Sequence, residues 1–226
     1  APTATDHTNR ARYIAYDIAG ELKPGKNVIA LWLGASWSIF PGYQTENLPR
    51  TPIVSAQVDV YNNPSDEKPA IRIETDETWK TFPSPNKLLG TWDFRNMGGD
   101  LWDDNRAEPN WNTVDFDDSA WKNATVYKPN LKLSAQKSEK NRLFDEIKPV
   151  SVEKRGDGVY RFDMGVNFAG WTEIKLTGEP GQRIDVLFSE RVQDEMTFGN
   201  RSAFILGPTG KGTFKNRFNY SSGRWI

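Results

Sequence analysis

The chain has 226 residues, enough for one large all-β domain or two small ones with a buried core. Its 29 Lys and Arg against 30 Asp and Glu leave a formal net charge of −1, so no electrostatic pull toward nucleic acid or an anionic membrane is expected. No run approaches the roughly 18 apolar residues of a membrane helix; cysteine is absent and His7 is the single histidine, which excludes disulfides and thiolate metal sites and argues against zinc chemistry or a histidine-based triad.

In chain order, RYIAYDI (12–18) has strand composition and LKPGKN (22–27) supplies a Pro-Gly turn. VIALWLG (28–34) is a near-continuous apolar run and predicts a buried strand. PIVSAQVDVY (52–61) and AIRIETDETWK (70–80) predict an antiparallel pair across the turn NNPSDEKP. Residues 81–113 show little periodicity and many turn formers, the pattern of a long functional loop. FDDSAWKNATVY (116–127) predicts a short turn or helix, capped by Asp117 or Asp118, that leads into a strand. The lysine-rich 128–149 stretch reads as a connector. Beyond it, VYRFDMG (159–165), WTEIKLTG (171–178) and QRIDVLFSER (182–191) predict strands separated by Asn-Phe-Ala-Gly and Glu-Pro-Gly turns. A last pair, TFGNRSAFIL and GTFKNRFNYSSGRWI, closes the sequence. No long amphipathic helix and no fixed-period repeat is present, so the fold class is all-β with two sandwich-like units.

The stretch GGDLWDDNRAEPNW (98–111) crowds four acids, two amides, an arginine and two tryptophans into one segment. Three uses fit such a composition: a cation site, a platform for stacking on sugar rings, or a solvated polar loop full of Asx turns. Most of the nine tryptophans are assigned to core packing, since large aromatics dominate core burial.

Several motifs, in order, resemble those of bacterial α-L-rhamnosidases. RYIAYDIAGELKPGKNVIALWLGASW (12–37) is similar to the opening module of that family, and GGDLWDDNRAEPNW followed by FDDSAW to its Gly-Glu-x-Tyr-Asp-x-Arg…Trp…Phe-Asp-Asp-Ser-x-Trp pattern. YRFDMGVNFAGWTEIKLTGEPGQRIDVLFSE resembles the concanavalin-like module that follows, and FKNRFNYSSGRWI the aromatic-Arg strand before the catalytic barrel. The resemblance implies two jelly-roll-like β-sandwich units, at 1–147 and 148–226, interlocked if Asn167 reaches the loop. The first strands of the opening module are absent from the match, and the second unit stops short of the barrel, so the chain is expected to be a fragment. No catalytic residue is expected in it. What the resemblance implies instead is a noncatalytic carbohydrate-binding region, secreted or periplasmic, that takes L-rhamnose or a related sugar with the help of calcium. Its partners would be a rhamnose-containing glycan and the catalytic barrel of the same parent chain, with neither nucleic acid nor membrane involved.

In some members of that family an adjacent Asp-Asn pair ligates the calcium, and the sugar hydroxyls complete its shell. The resemblance therefore assigns Asp104 and Asn105 as metal and ligand-binding residues. The loop is one residue longer than the family pattern, which leaves Asp103 as the alternative to Asp104. Calcium takes about six to eight oxygen ligands, so these residues would leave positions open for vicinal hydroxyls. The twelve-residue loop of helix-loop-helix calcium sites is not matched. Trp111 is assigned to pack on the sugar, because Trp102 sits in a strand-like position and is expected to point inward. Asn167, in MGVNFAGW, is assigned a hydrogen bond to a hydroxyl, with a left-handed turn residue as the plain alternative. Two rivals remain: a structural spacer that positions the barrel, and a glycosidase built on Glu190 with Asp163 or Asp185.

Overall fold

The computed structural model describes residues 2, 9–34, 52–91 and 93–226. His7 and Trp37 lie outside the described residues. In chain order the strands are β1 (Arg10–Tyr13), β2 (Gln57–Val60), β3 (Ile71–Glu74), β4 (Lys80–Thr81), β5 (Asn86–Leu89), β6 (Gly99–Asp103), β7 (Lys122–Asn123) and β8 (Lys132–Ala135). They continue with β9 (Ser151–Gly156), β10 (Val159–Gly170), β11 (Glu173–Thr177), β12 (Arg183–Leu187), β13 (Arg201–Ile205), β14 (Lys211–Lys215) and β15 (Ser221–Trp225). The helical segments among the described residues are single 3₁₀ turns, and none is long and apolar enough to cross a membrane. The fold is all-β.

Two compact units are formed, and they do not follow chain order. Unit 1 takes Ala1–Pro83 with Pro109–Arg142; unit 2 takes Ser84–Glu108 with Leu143–Ile226. In unit 1, β2 and β3 pair antiparallel as the alternation predicts, with Val58 opposite Ile73 and Val60 opposite Ile71. Asp66 closes their turn by accepting from Asn63 N at 3.0 Å. Asp117 caps the next turn through Ser119 N at 3.0 Å and leads into β7, also as expected. The 128–149 connector contains β8, which pairs parallel with β1, so part of it is structural. The apolar run 28–34, expected as a buried strand, forms no described strand, and Val28, Leu31 and Leu33 are exposed. Apolar residues alone do not make a strand; its N–H and C=O groups must also join a ladder, and no strand ladder runs through 28–34 among the described residues.

Unit 2 holds every fully buried hydrophobic side chain among the described residues. Its core is Val186, Phe188, Phe204, Leu206 and Phe214, with Trp102, Ile174, Leu176, Ile184 and Ile226 packed around it. Phe204 meets Phe214 edge-on, with centroids 6.3 Å apart. Each such buried side chain contributes roughly 1.5–3 kcal/mol. Gly212 makes room for the Phe204 ring, since a Cβ there would lie 2.7 Å from two of its carbons.

Three sequence expectations change in unit 2. The 81–113 stretch is not one irregular loop: β5 and β6 form an antiparallel pair, and β6 lies parallel to β13 in the sheet β12-β13-β6-β5. The Asn-Phe-Ala-Gly segment is not a turn either. β10 runs through it, with a register shift between Asp163 and Phe168 against β15, so a bulge absorbs what looked like a turn. Finally, the two closing segments do not pair with each other. β13 joins β12 and β6, β14 joins β11, and β15 joins β10.

Candidate functional site: the loop after β6

β6 carries Trp102 inward. Its ring packs partly buried against the core, as its strand position predicts. Of the four acids in the 98–111 segment, Asp100 is also inward, at 4% exposure. Its Oδ2 accepts from Arg217 N at 2.9 Å, and its Oδ1 from Asn86 Nδ2 at 3.4 Å. Asp100 N donates to Ser202 Oγ at 3.3 Å, which also accepts from Asn216 Nδ2 at 3.1 Å. Thr172 N completes the chain by donating to Asn216 Oδ1 at 3.2 Å. A buried carboxylate satisfied this way is a structural pin between β5, β6, β13 and the segment after β14.

At the end of β6 the backbone enters a 3₁₀ turn, Asp104–Arg106, and three neighbouring side chains take different tasks. Asp103 is the N-cap: its Oδ1 accepts from Asn105 N at 3.2 Å and from Asn105 Nδ2 at 3.1 Å. Asp104 Oδ1 accepts from the Trp102 indole Nε1 at 3.1 Å. Asn105 Nδ2 makes a second donation, to Leu206 O just past β13, at 3.2 Å. Both amide hydrogens of Asn105 are thereby engaged, which turns its carbonyl Oδ1 outward as an acceptor. The second oxygen of Asp104 lies over Gly207, where a Cβ would stand 2.6 Å away. The turn carries one carboxylate and one amide carbonyl, and the Asp104 carboxylate has one oxygen on the Trp102 indole and the other against Gly207. That chemistry fits a hard cation such as calcium. Among the described residues no group of three or more His, Cys, Asp or Glu side chains gathers as a metal cage; Asp104 is half-buried and Asn105 exposed.

The other two predicted residues are Asn167 and Trp111. Asn167 is exposed on β10, within the register shift, and its side chain makes no hydrogen bond to a described residue. Trp111 belongs to unit 1, where its ring stacks on Trp121 at 6.3 Å and 25°. Trp121 also stacks on Phe82 at 5.3 Å and meets the edge of Phe116 at 5.4 Å. Leu206 and Gly207 were not singled out from the sequence; a Gly-Pro after a strand reads only as a turn.

The carboxylates of the glycosidase alternative are engaged differently. Asp163 takes a bidentate pair from Arg224, at 2.7 and 2.9 Å, and accepts from Gly165 N at 2.7 Å. The Arg224 hydrogen bonds, then that of Gly165, hold its pKa below the usual carboxylate value, opposite to what a general acid needs. Asp185 is bound by Arg183, with the closest contact at 2.7 Å.

An all-β molecule with an oxygen-lined loop at a strand end is the class these features define. The chain matches the family described as "Alpha-L-rhamnosidase N-terminal domain" over residues 1–145 and "Bacterial alpha-L-rhamnosidase concanavalin-like domain" over residues 153–226. It belongs to the bacterial α-L-rhamnosidase family, as its N-terminal and concanavalin-like domains. An α-L-rhamnosidase of Formosa agariphila is 28% identical over 220 residues, covering 93% of this chain and 22% of the relative. One from Streptomyces avermitilis is 25% identical over 243 residues, covering the whole chain and 22% of that protein. The chain thus spans about a fifth of the length of the curated relatives it matches. Among solved structures, α-L-rhamnosidase from Dictyoglumus thermophilum superposes with a TM-score of 0.76 at 26% identity, covering 99% of this chain and 25% of its own. The Streptomyces avermitilis enzyme complexed with L-rhamnose gives 0.76 at 20% identity, a likeness of fold, covering the whole chain and 22% of its own.

Proposed function

We propose that this chain is a noncatalytic carbohydrate-binding region that takes L-rhamnose or a related sugar with the help of calcium, in a protein whose hydrolytic barrel lies elsewhere in the sequence. The observation that carries the proposal is the fixed orientation of Asn105. Its amide hydrogens are held by Asp103 and Leu206, so its Oδ1 is left as a pre-ordered acceptor on the residue next to Asp104. Asp104 and Asn105 would supply the protein's ligands. Bound calcium would contribute open coordination positions that vicinal sugar hydroxyls can take. Between the two acids Asp104 is proposed as the ligand; Asp103 caps the turn, and Asp104 keeps one oxygen on the Trp102 indole. Trp111 is proposed to offer an apolar ring surface, and Asn167 a hydrogen bond, each to be tested by its own substitution. The L-rhamnose complex of the Streptomyces avermitilis relative supports the choice of sugar. Few ligands suit the weak sites of extracellular modules, with Kd on the order of 10⁻⁴–10⁻³ M, in keeping with a secreted or periplasmic protein.

The test is calorimetric titration of L-rhamnose into the chain with calcium, then with EDTA. Heat that disappears with EDTA and in Asp104→Ala supports the proposal. No heat in either buffer, from a chain shown to be folded, sinks it and leaves a spacer that positions the barrel.

A further inference from the structure

β1 and β8 pair in parallel, so the chain leaves both strands at the same end, after Tyr13 and after Ala135. The two departing segments, 14–16 and 136–140, border a cleft of about 250 Å³ in unit 1, the unit that contains neither Asp104 nor Asn105. Ile14, Ala15 and Ala135 give the cleft an apolar wall, and Tyr13, Gln136, Ser138 and Lys140 give it polar groups. Gln136 shapes the turn beside it. Its backbone N donates to Tyr13 O at 3.0 Å, and its Nε2 donates to Ser138 O at 3.2 Å and to Glu139 O at 3.1 Å. The turn returns Lys140 to the β1 side, where its Nζ donates to Ala15 O at 2.6 Å and stands 4.2 Å from the centroid of the Tyr16 ring. We propose that this cleft is a separate, metal-independent sugar site that takes a uronic acid, with the carboxylate on Lys140.

Charge selects the acid. Lys140 is the one charged side chain that lines the cleft. It forms no ion pair with a described residue, and Glu139, its chain neighbour, pairs instead with Arg142 at 3.6 Å. An ammonium carries three donors, of which Ala15 O engages one. A carbonyl and a ring hold the head group in place without cancelling its charge, so an incoming carboxylate meets a positioned cation. Size selects a single ring. A volume of about 250 Å³ falls just under the roughly 300–1,000 Å³ of clefts that hold drug-sized ligands, which suits one hexose-sized body. The Ser138 hydroxyl makes no hydrogen bond to a described residue and is open to a sugar hydroxyl, while the half-exposed Tyr13 ring offers a face to sugar C–H groups. A purely apolar ligand of that size would strip water from the ammonium without pairing it, which disfavours it.

No residue is shared with the calcium proposal, so the two stand or fall separately. The whole isotope-labelled chain is titrated in EDTA with D-galacturonate, and with D-galactose as its neutral counterpart, while backbone amide shifts are followed. Saturable shifts are expected at 13–16 and 135–140, with galacturonate bound about tenfold or more tightly than galactose, the value of one charge-assisted hydrogen bond. Lys140→Gln should abolish that preference. Ala135→Leu, which narrows the cleft and keeps the charge, should weaken binding of galacturonate as well. Absence of saturable shifts, equal affinity for the two sugars, or shifts centred on the 104–106 turn overturn the proposal, and this wild-type comparison decides even where a variant fails to fold. A preference that survives Lys140→Gln overturns it too. So does binding that is lost in Lys140→Gln but untouched in Ala135→Leu, the mark of an ion pair on an open surface.

Discussion

Asn105 shows how much one side chain can depend on which of its ends faces the protein. On charge alone, Asn105→Asp would strengthen a calcium site. Here the amide nitrogen faces two acceptors, Asp103 Oδ1 and Leu206 O, and a carboxylate would put a third acceptor between them. We expect this variant to lower metal-free stability by about 1–3 kcal/mol, as an unmade hydrogen bond facing acceptors does, with calcium recovering part of the loss. Thermal melts with EDTA and with calcium read both effects; a metal-free midpoint equal to wild type would refute the orientation argued for Asn105. Asp163 makes a second residue-scale prediction, through pH. Its folded pKa is depressed by Arg224 and the Gly165 N–H, so its contribution is present above the unfolded carboxyl value of about 3.9 and is lost as pH falls through the lower folded value. Asp163→Asn should make the stability of unit 2 less steep in pH below about 4, while lowering it at neutral pH. A pH series of urea melts on the two proteins checks the sign.

At the scale of elements, β6 is the strand the sequence conceals. Its parallel partner β13 lies about 100 residues away, and GGDLWDD has no alternation that marks it as a strand. Local pattern was enough for the β2–β3 pair, where apolar residues alternate on both sides of a short turn. It failed for 28–34, where hydrophobicity was present but no strand ladder forms among the described residues, and for β10, where a bulge imitates a turn. The Asp104–Asn105 assignment rests on family resemblance alone, and the contacts of these residues with Leu206 and Gly207 were not legible at all, since a carbonyl and a missing Cβ have no residue-type signature. Gly99 reports on the same packing. It is buried against β13, and a Cβ there would overlap Arg201 O and stand 2.6 Å from Ser202 Oγ. Gly99→Ala should cost about 1–3 kcal/mol by overpacking and should weaken calcium binding in proportion to the separation of β6 from β13. Urea melts followed by calcium titration test this; a stable variant with intact binding would show that the β6–β13 contact is not what orders the loop.

For the molecule as a whole, the question is whether ligand free energy reaches the fold. A ligand that binds only the folded state stabilises it by RT ln(1 + [L]/Kd), about 2.7 kcal/mol at a concentration of 100 Kd. If Asp104 and Asn105 are the donors proposed above, their arrangement requires β6 paired to β13 and Leu206 buried, and the unfolded chain would have no comparable site. Calcium should therefore raise the melting midpoint, and L-rhamnose should raise it again only when calcium is present. The order matters. Rhamnose acting without calcium would place recognition on the rings and amides alone, Trp111 and Asn167 among them, and remove the metal from the mechanism. Calcium acting without rhamnose would leave an ion that stiffens the turn after β6, the behaviour of a spacer that holds a neighbouring domain rather than a sugar. Only the sequential pair of shifts, both abolished in Asp104→Ala, requires a cation that is shared between protein and carbohydrate.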